Sequence, residues 1–369
     1  MKKTLFSFLI LLFLVGVLFP FGLWKALDDV RFDTVDSLSR LRFYIFSPYS
    51  PKSLADKLTQ PAPLWMEKRI QEDIGSLTRQ QHSKEALDLY LQRLSPKDLE
   101  DHLLIRFTVK QGAILQYPES LPRFQGRLAA VRHALESLHS QGFLPDGLDF
   151  ILCINDKIFD GYGGEVPIFV FSKDIQDVRQ KNLILIPDGM NLSRWAYIYP
   201  TIRFASFVFP WSKKKDLVLW RGSNTNPIRE YAVKQTSTLP FLDAAMTEGR
   251  DASYMIPEYQ LQAKYLLSLD GISSTWPGLL WKLASNAVVF KQDSSHTQWY
   301  YGGVLPGVHY VPVKNDLSDL EAAYAWAKTH PEESQKISQN AQRFVEENLL
   351  YEDMLHYMAR VFRAYAKNV

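Results

Sequence analysis

The stretch Lys264 to Val313, KYLLSLDGISSTWPGLLWKLASNAVVFKQDSSHTQWYYGGVLPGVHYVPV, decides how the rest of the chain is read. Its pattern predicts a strand ending at Leu269, a turn at Asp270-Gly271-Ile272-Ser273-Ser274, a helix from about Pro277 to Ser285 and an apolar strand from Ala287 to Phe290. Pro277 suits a first helical turn, where its missing N–H loses no partner, and Ser273, Ser274 and Thr275 are all competent caps. Free backbone N–H groups and the positive end of a helix dipole would then face one point, which predicts an anion site. A lone turn of this kind is common in α/β proteins and carries little by itself. Here it is accompanied by Trp276 and Lys282, and by Lys291, Gln292, Asp293, His296, Trp299, Tyr300 and Tyr301 after the second strand. Ligands of open α/β sheets sit beyond the carboxyl ends of strands, where both polar clusters fall.

The same alternation recurs upstream. Leu148 to Ile154, LDFILCI, is a buried strand followed by Asp156; Ile168 to Phe171 runs into Ser172 and Lys173; Leu183 to Ile186 runs into Pro187-Asp188-Gly189. Leu104–Val109 and Ala113–Tyr117 read as a hairpin, and Ser120 to Leu138 as a helix. After Pro210, a strand from Lys215 to Trp220 enters Arg221-Gly222-Ser223-Asn224-Thr225-Asn226-Pro227-Ile228-Arg229. Helices follow over Asp316–Thr329, with Ser318 as cap, over Pro331–Glu347 and over Leu350–Lys367. The pattern is that of two α/β domains facing a cleft.

A length of 369 residues with 46% hydrophobic and 13% aromatic side chains supplies two cores. A net charge of +2 from 42 basic and 40 acidic residues gives no general attraction to nucleic acid. The single cysteine, Cys153, lies in an apolar run and excludes an intramolecular disulfide framework. His296 and His309 lack carboxylate partners at metal spacing, and no GxSxG, HExxH or Walker motif is present.

Lys2 and Lys3 precede an uncharged run from Thr4 to Trp24 that is long enough to span a bilayer. It reads as an uncleaved anchor, because no small-residue cleavage site follows it. Basic residues on both sides, including Lys25, Arg31, Arg40 and Arg42, leave its orientation open. The expected organisation is a transmembrane anchor over 1–24, a helical membrane-proximal segment over 25–103, an acceptor-side domain over 104–208, a donor-binding domain over 209–347 and a terminal helix over 348–369.

Into the cleft the reading places Asp156 from the first half and Arg221, Ser223, Arg229, Ser274, Trp276 and Lys282 from the second. A carboxylate opposite a basic, serine-rich site suits transfer from a nucleotide sugar: one side holds a diphosphate leaving group and the other takes a proton from an acceptor hydroxyl. Each residue has a plainer reading. Asp after a strand is usually a cap or turn residue, arginines pair with surface acids such as Glu230, and tryptophans are more often core. A two-carboxylate hydrolase would need Asp160 or Glu165 beside Asp156.

LVLWRGSNTNPIREYAV, KYLLSLDG, KLASNAVVFKQ and HYVPVKNDLSDL resemble successive blocks of glycosyltransferase family 90, and LPDGLDFILCINDK resembles the block in which that family places an Asp after a strand. The family includes protein O-glucosyltransferases, capsule-associated xylosyltransferases and lipopolysaccharide-modifying enzymes. The resemblance spans about Leu104 to Glu347. It implies a GT-B-like fold of two Rossmann-like domains, a UDP-sugar donor, glucose or xylose foremost, inversion at the anomeric carbon and no required metal or cofactor. By motif position it puts the general base at Asp156 and donor contacts at Arg221, Gly222, Ser223, Arg229, Asp270, Gly271, Ser274 and Lys282; the residue reading adds Trp276 to the donor side and places Ser172, Lys173 and Asp188, at strand ends of the first half, on the acceptor side. The implied acceptor is a hydroxyl of a glycan, lipopolysaccharide or protein.

The chain departs from that pattern in two places. Many relatives carry an arginine early in the helix after the Asp-Gly turn, where this chain has Trp276-Pro277-Gly278, with Gly278 roughly at that position; the Asp156 block continues with Lys157-Ile158 instead of an aromatic-proline pair. Either Lys282 or Arg229 covers the missing charge, or donor binding is altered. The alternative is a membrane-tethered GT-B-like binding protein with a decayed donor site. The expected location is a membrane, with the catalytic domain on the cytoplasmic face in a bacterial setting and lumenal in a eukaryotic one.

Overall fold

A computed structural model describes residues 54–75, 77, 83–158, 162–247 and 253–368. The expected anchor over 1–24 lies outside the described residues. Among those residues, no helix is long and apolar enough to cross a membrane.

The first half is built on strands β1 (Leu104–Lys110), β2 (Ala113–Tyr117), β3 (Asp149–Cys153), β4 (Ile168–Val170) and β6 (Leu183–Leu185), in the order β2-β1-β3-β4-β6. β1 runs antiparallel to β2 and β3, whereas β3, β4 and β6 are parallel. Every residue of β4 and β6 is buried, as expected of parallel strands covered on both faces. One cover is the C-terminal helix Tyr351–Asn368, whose Phe362 packs 4.9 Å from Phe150 and 5.1 Å from Phe169. The end of the chain thus returns to the first half.

The second half holds β7 (Lys215–Gly222), β8 (Leu242–Met246), β9 (Ala263–Ser268), β10 (Val288–Gln292) and β12 (Val311–Val313), all parallel, in the order β12-β10-β9-β7-β8. Read from the β8 edge and numbered along the chain, this is the doubly wound order 2-1-3-4-5, which reverses direction between β7 and β9. Ligands of such sheets lie outside the carboxyl ends of the strands at that reversal. Mixed α/β architecture with mostly parallel strands therefore agrees with the Rossmann-like expectation.

A ribbon of β5 (Lys173–Asp174) and β11 (His296–Thr297) pairs a segment from each half antiparallel, His296 opposite Asp174. The helix Leu64–Ile74 also touches both halves: Trp65 packs 5.8 Å from Trp299, and Asp73 bonds the Leu185 N–H at 2.9 Å. The described part of the N-terminal helical segment is therefore part of this body.

Several local readings shift. The helix after the Asp-Gly turn spans Gly278–Ala284 with Pro277 at its N-cap and no side-chain cap, so Ser273, Ser274 and Thr275 are left to bond elsewhere. At two turns its dipole is small. Ser318 is not a cap either: Asp319 holds the N-cap of Leu320–Thr329 without a side-chain bond to the helix. The long helix Gly189–Val208 and strand β8 lie outside the elements that the sequence pattern predicts. The first has Pro200 inside it and aromatic residues on several faces.

Candidate active site

The carboxyl ends of the two sheets meet at Asp156. Just beyond β3, its Oδ1 accepts from Thr275 Oγ1 at 2.8 Å and its Oδ2 from Trp276 Nε1 at 3.1 Å, both from the serine-rich turn of the second half. From behind, Arg127 Nη1 lies 2.7 Å from Oδ1 and also donates to the Ile154 carbonyl at 3.0 Å. The Arg127 side chain is 1% exposed and that of Asp156 16%. Next to this contact the hydroxyls of Ser172 and Ser274 share a hydrogen bond of 2.7 Å across the halves. Gln298 Nε2 holds the Ser274 carbonyl.

Arg127 is the functional candidate that sequence reasoning missed. It sits in the helix Gln125–Ser140, where a polar residue reads as solvent-facing. Its burial depends on Gly189, where any Cβ would come within 2.8 Å of the Arg127 carbonyl oxygen. Asp188 lies in the same layer, capping the helix Gly189–Val208 through the Met190 N–H at 2.6 Å. Burial pushes its carboxyl pKa up, and the charge of Arg127 opposes that shift. The backbone N–H of Trp276 also faces the Asp188 carboxylate and favours its charged form, and among the described residues two of the three guanidinium nitrogens of Arg127, Nε and Nη2, have no hydrogen-bond partner.

Lys173 is placed differently from its acceptor-side neighbour Ser172. Its ammonium lies 2.7 Å from Asp73 Oδ1 and donates to the Leu183 carbonyl at 2.9 Å, inside the protein.

At the β7/β9 reversal the second half presents Arg221-Gly222-Ser223 beside Leu269-Asp270-Gly271. Arg229 clasps the two loops: its guanidinium donates to the carbonyls of Asp270 (2.9 Å), Ser223 (2.9 Å) and Leu269 (3.1 Å) and to Thr225 Oγ1 (2.8 Å). The closeness demands glycine at 271, where a Cβ would meet Thr225 Oγ1 at 2.8 Å and Arg229 Nη2 at 3.0 Å. Arg221 turns toward β8, donating to the Asp243 carbonyl at 2.9 Å and pairing with its carboxylate at 2.8 Å. Asp270 accepts from Ser294 Oγ through its carboxylate and lies 3.9 Å from His296 Nδ1.

Lys282 differs from both arginines. It is buried and makes no hydrogen bond or ion pair among the described residues; Trp281 lies beneath it at 5.4 Å. Burial, helped by the charge of Arg229 and opposed by Asp270, pushes its pKa down to about 7. A cation so placed gains from an incoming anion. Lys291 instead donates to the Gln292 carbonyl at 3.0 Å and lies over Tyr301 and Tyr310. At Gly278, the position of the missing arginine, a Cβ would meet nothing within 4 Å. Of the alternative acids, Glu165 pairs with Arg93 at 2.5 Å, and Asp160 lies outside the described residues. Among the described residues no cluster of His, Cys, Asp and Glu is arranged to hold a metal ion. Cys153 is buried, which pushes its thiol up to about 12.

A mixed and an all-parallel α/β sheet, with an acid at the carboxyl end of one and cations at the carboxyl end of the other, place the chain in the class of two-sheet α/β proteins with a ligand site at the strand ends. Residues 99–369 match the family described as Glycosyl transferase family 90, and the chain belongs to it. That places it among the glycosyltransferases. It is 25% identical over 276 residues to protein O-glucosyltransferase 1 of Bos taurus, a match covering 68% of this chain and 69% of that protein. It is 33% identical over 169 residues to protein O-glucosyltransferase 2 of Danio rerio, covering 42% of this chain and 34% of that protein. With O-glucosyltransferase LpsA of Dichelobacter nodosus it shares 29% identity over 188 residues, 49% of this chain and 56% of that protein. The chain therefore spans about a third of the zebrafish protein and about half of the bacterial one.

Proposed function

We propose that this chain moves a sugar, glucose or xylose foremost, from a UDP-sugar to an acceptor hydroxyl with inversion, and that Asp156 is the general base. The observation that carries the reading is the reach of Asp156 across the cleft to Thr275 and Trp276. It sets a carboxylate from the first half against the turn that leads into the helix carrying Lys282, whose buried ammonium makes no hydrogen bond or ion pair among the described residues. In the reaction, the acceptor oxygen forms a bond to the anomeric carbon from the face opposite the diphosphate, and its proton passes to Asp156. The bond from that carbon to the diphosphate oxygen breaks, and the electron pair leaves with UDP. Lys282 and the loops clasped by Arg229 would meet the charge that develops there. No metal or other cofactor enters this scheme.

The relatives named O-glucosyltransferase favour glucose as the sugar. The acceptor under this reading is a glycan, lipopolysaccharide or protein, and the N-terminal run 4–24 tethers the enzyme to a membrane. The commitment of Arg221 and Arg229 to internal carbonyls favours, as a second reading, a binding protein whose donor site has decayed. Calorimetry of the full chain with UDP and a panel of UDP-sugars, followed by assay of donor consumption, separates the two. Selective binding and turnover of one UDP-sugar supports the enzyme and names its donor; a folded chain that binds and consumes none of them rejects it.

A further inference from the structure

Phe124 and Trp276 stand at the mouth of this site with left-handed backbone, φ 58° and 80°. For bulky residues with a Cβ this conformation is costly, and such strain gathers where the surroundings fix a side chain for a task. The two come from opposite halves: Phe124 directly precedes the helix that carries Arg127, and Trp276 ends the serine-rich turn. Both rings lie against the Arg127 guanidinium, 4.7 and 4.8 Å from its carbon. Shielding Arg127 accounts for one side of each ring and no more, because Phe124 stays 37% and Trp276 44% exposed. The indole N–H of Trp276 is fixed on Asp156 Oδ2 at 3.1 Å, so the exposed ring borders the carboxylate. That oxygen retains a second lone pair, and Arg127 retains two unpartnered nitrogens.

We propose that Phe124 and Trp276 form an acceptor subsite for a pyranose ring, so that the hydroxyl receiving the transferred sugar belongs to a carbohydrate and not to a protein side chain. The inference rests on Asp156 as the base. The C–H bonds on the face of a pyranose carry slight positive charge and pack on the negative face of an aromatic ring, while its hydroxyls bond groups at the ring's rim. Exposed rings beside a carboxylate and a guanidinium offer both. A serine or threonine hydroxyl on a peptide brings no such face, and would leave the two rings in water.

The test uses the full chain with methyl glucosides, galactosides and mannosides and with a serine-containing peptide as acceptor probes. Saturation-transfer NMR reads binding, and transfer from the UDP-sugar panel reads use. At least one glycoside is expected to show contact through its ring C–H protons and to accept sugar. Phe124→Ala and Trp276→Ala should raise KM for that glycoside by about three- to tenfold, the equivalent of a lost stacking contact. Trp276→Phe, which keeps a ring and loses the N–H, should retain most of the glycoside contact by NMR. Transfer to the peptide with no glycoside bound overturns the proposal, as does a Trp276→Phe variant that binds glycoside no better than Trp276→Ala. If no UDP-sugar is consumed with any acceptor, the enzyme reading fails, and the NMR arm still decides whether a pyranose occupies this mouth.

Discussion

Two cation–carboxylate pairs in the first half have the same separation, 2.7 Å, and opposite characters. Lys173–Asp73 is closed: Asp73 also accepts from Arg69 at 2.6 Å and from the Leu185 N–H, and Lys173 also donates to a carbonyl. Arg127–Asp156 is open: two guanidinium nitrogens lack partners, and the carboxylate is shared with the opposite half at the edge of solvent. A buried pair whose bonding capacity is filled holds structure together, and one that leaves capacity over is poised to receive something. Distance alone does not separate them.

Neutralising each carboxylate should therefore fail in different ways. Asp156→Asn is expected to lower turnover by about 10²–10⁴-fold, the usual worth of a general base, with a folded chain that still binds UDP. Asp73→Asn leaves Lys173 and Arg69 facing a neutral group in the interior and should destabilise the fold by about 3–5 kcal/mol. Turnover per folded molecule should then change little. Thermal unfolding and single-turnover rates on both variants decide the matter. Near-normal transfer by Asp156→Asn removes it from the base role, and an unchanged melting temperature in Asp73→Asn removes the structural reading of the closed pair.

The next largest effect concerns Lys282, the cation of the second half that resembles the open pair. Its folded pKa of about 7 lies below the ordinary 10.5, so between those values the unfolded chain holds a proton that the folded chain does not. Stability should rise with pH across this window, and the charged ammonium is a burden below it. Lys214, pushed down to about 7 by burial alone, contributes in the same window, so the difference between wild type and variant isolates Lys282. Lys282→Met should flatten part of that slope, stabilise the chain near pH 6 and weaken UDP binding by about tenfold, the scale of one charge-assisted contact. In the wild type, UDP affinity should fall as pH rises above about 7, because the ammonium must be protonated to bind. Affinity independent of both pH and the substitution would show that the diphosphate lies elsewhere.

What the sequence made legible follows the same division between local and distant information. The apolar runs at 148–154, 168–171, 183–186 and 215–220 became β3, β4, β6 and β7, because a buried parallel strand declares itself through its own residues. The family blocks rested on similarly local signals, and the family match agrees with them. Strand β8, LDAAM, is short and half-buried and lacks that signature. Partnerships were hidden. Ser172 and Lys173 are neighbours in sequence, but one meets Ser274 across the cleft and the other meets Asp73 in a helix read as separate. Arg127 carried no signal at all, since only the approach of Gly189 and the positions of Asp156 and Trp276 turn that helix face into an interior.

The smallest effect is expected at Arg221, whose Nη1 and Nη2 are engaged while its buried Nε has no hydrogen-bond partner among the described residues, and it tests whether a largely filled pair marks a structural role in the second half as well. The Arg-Gly-Ser block invites a direct contact with the donor. The guanidinium, however, donates to the carbonyls of Trp220 and Asp243 at 2.9 Å each and pairs with the Asp243 carboxylate at 2.8 Å, which anchors β7 to β8. Asp243 is half exposed, so solvent screens the pair and limits its worth to about 1 kcal/mol. Arg221→Ala should accordingly lower the unfolding midpoint slightly and change UDP affinity by about twofold at most, well short of the effect at Lys282. A tenfold loss of UDP affinity with unchanged stability would mean that the arginine leaves Asp243 when the donor arrives, and a largely filled pair could then no longer be read as structural.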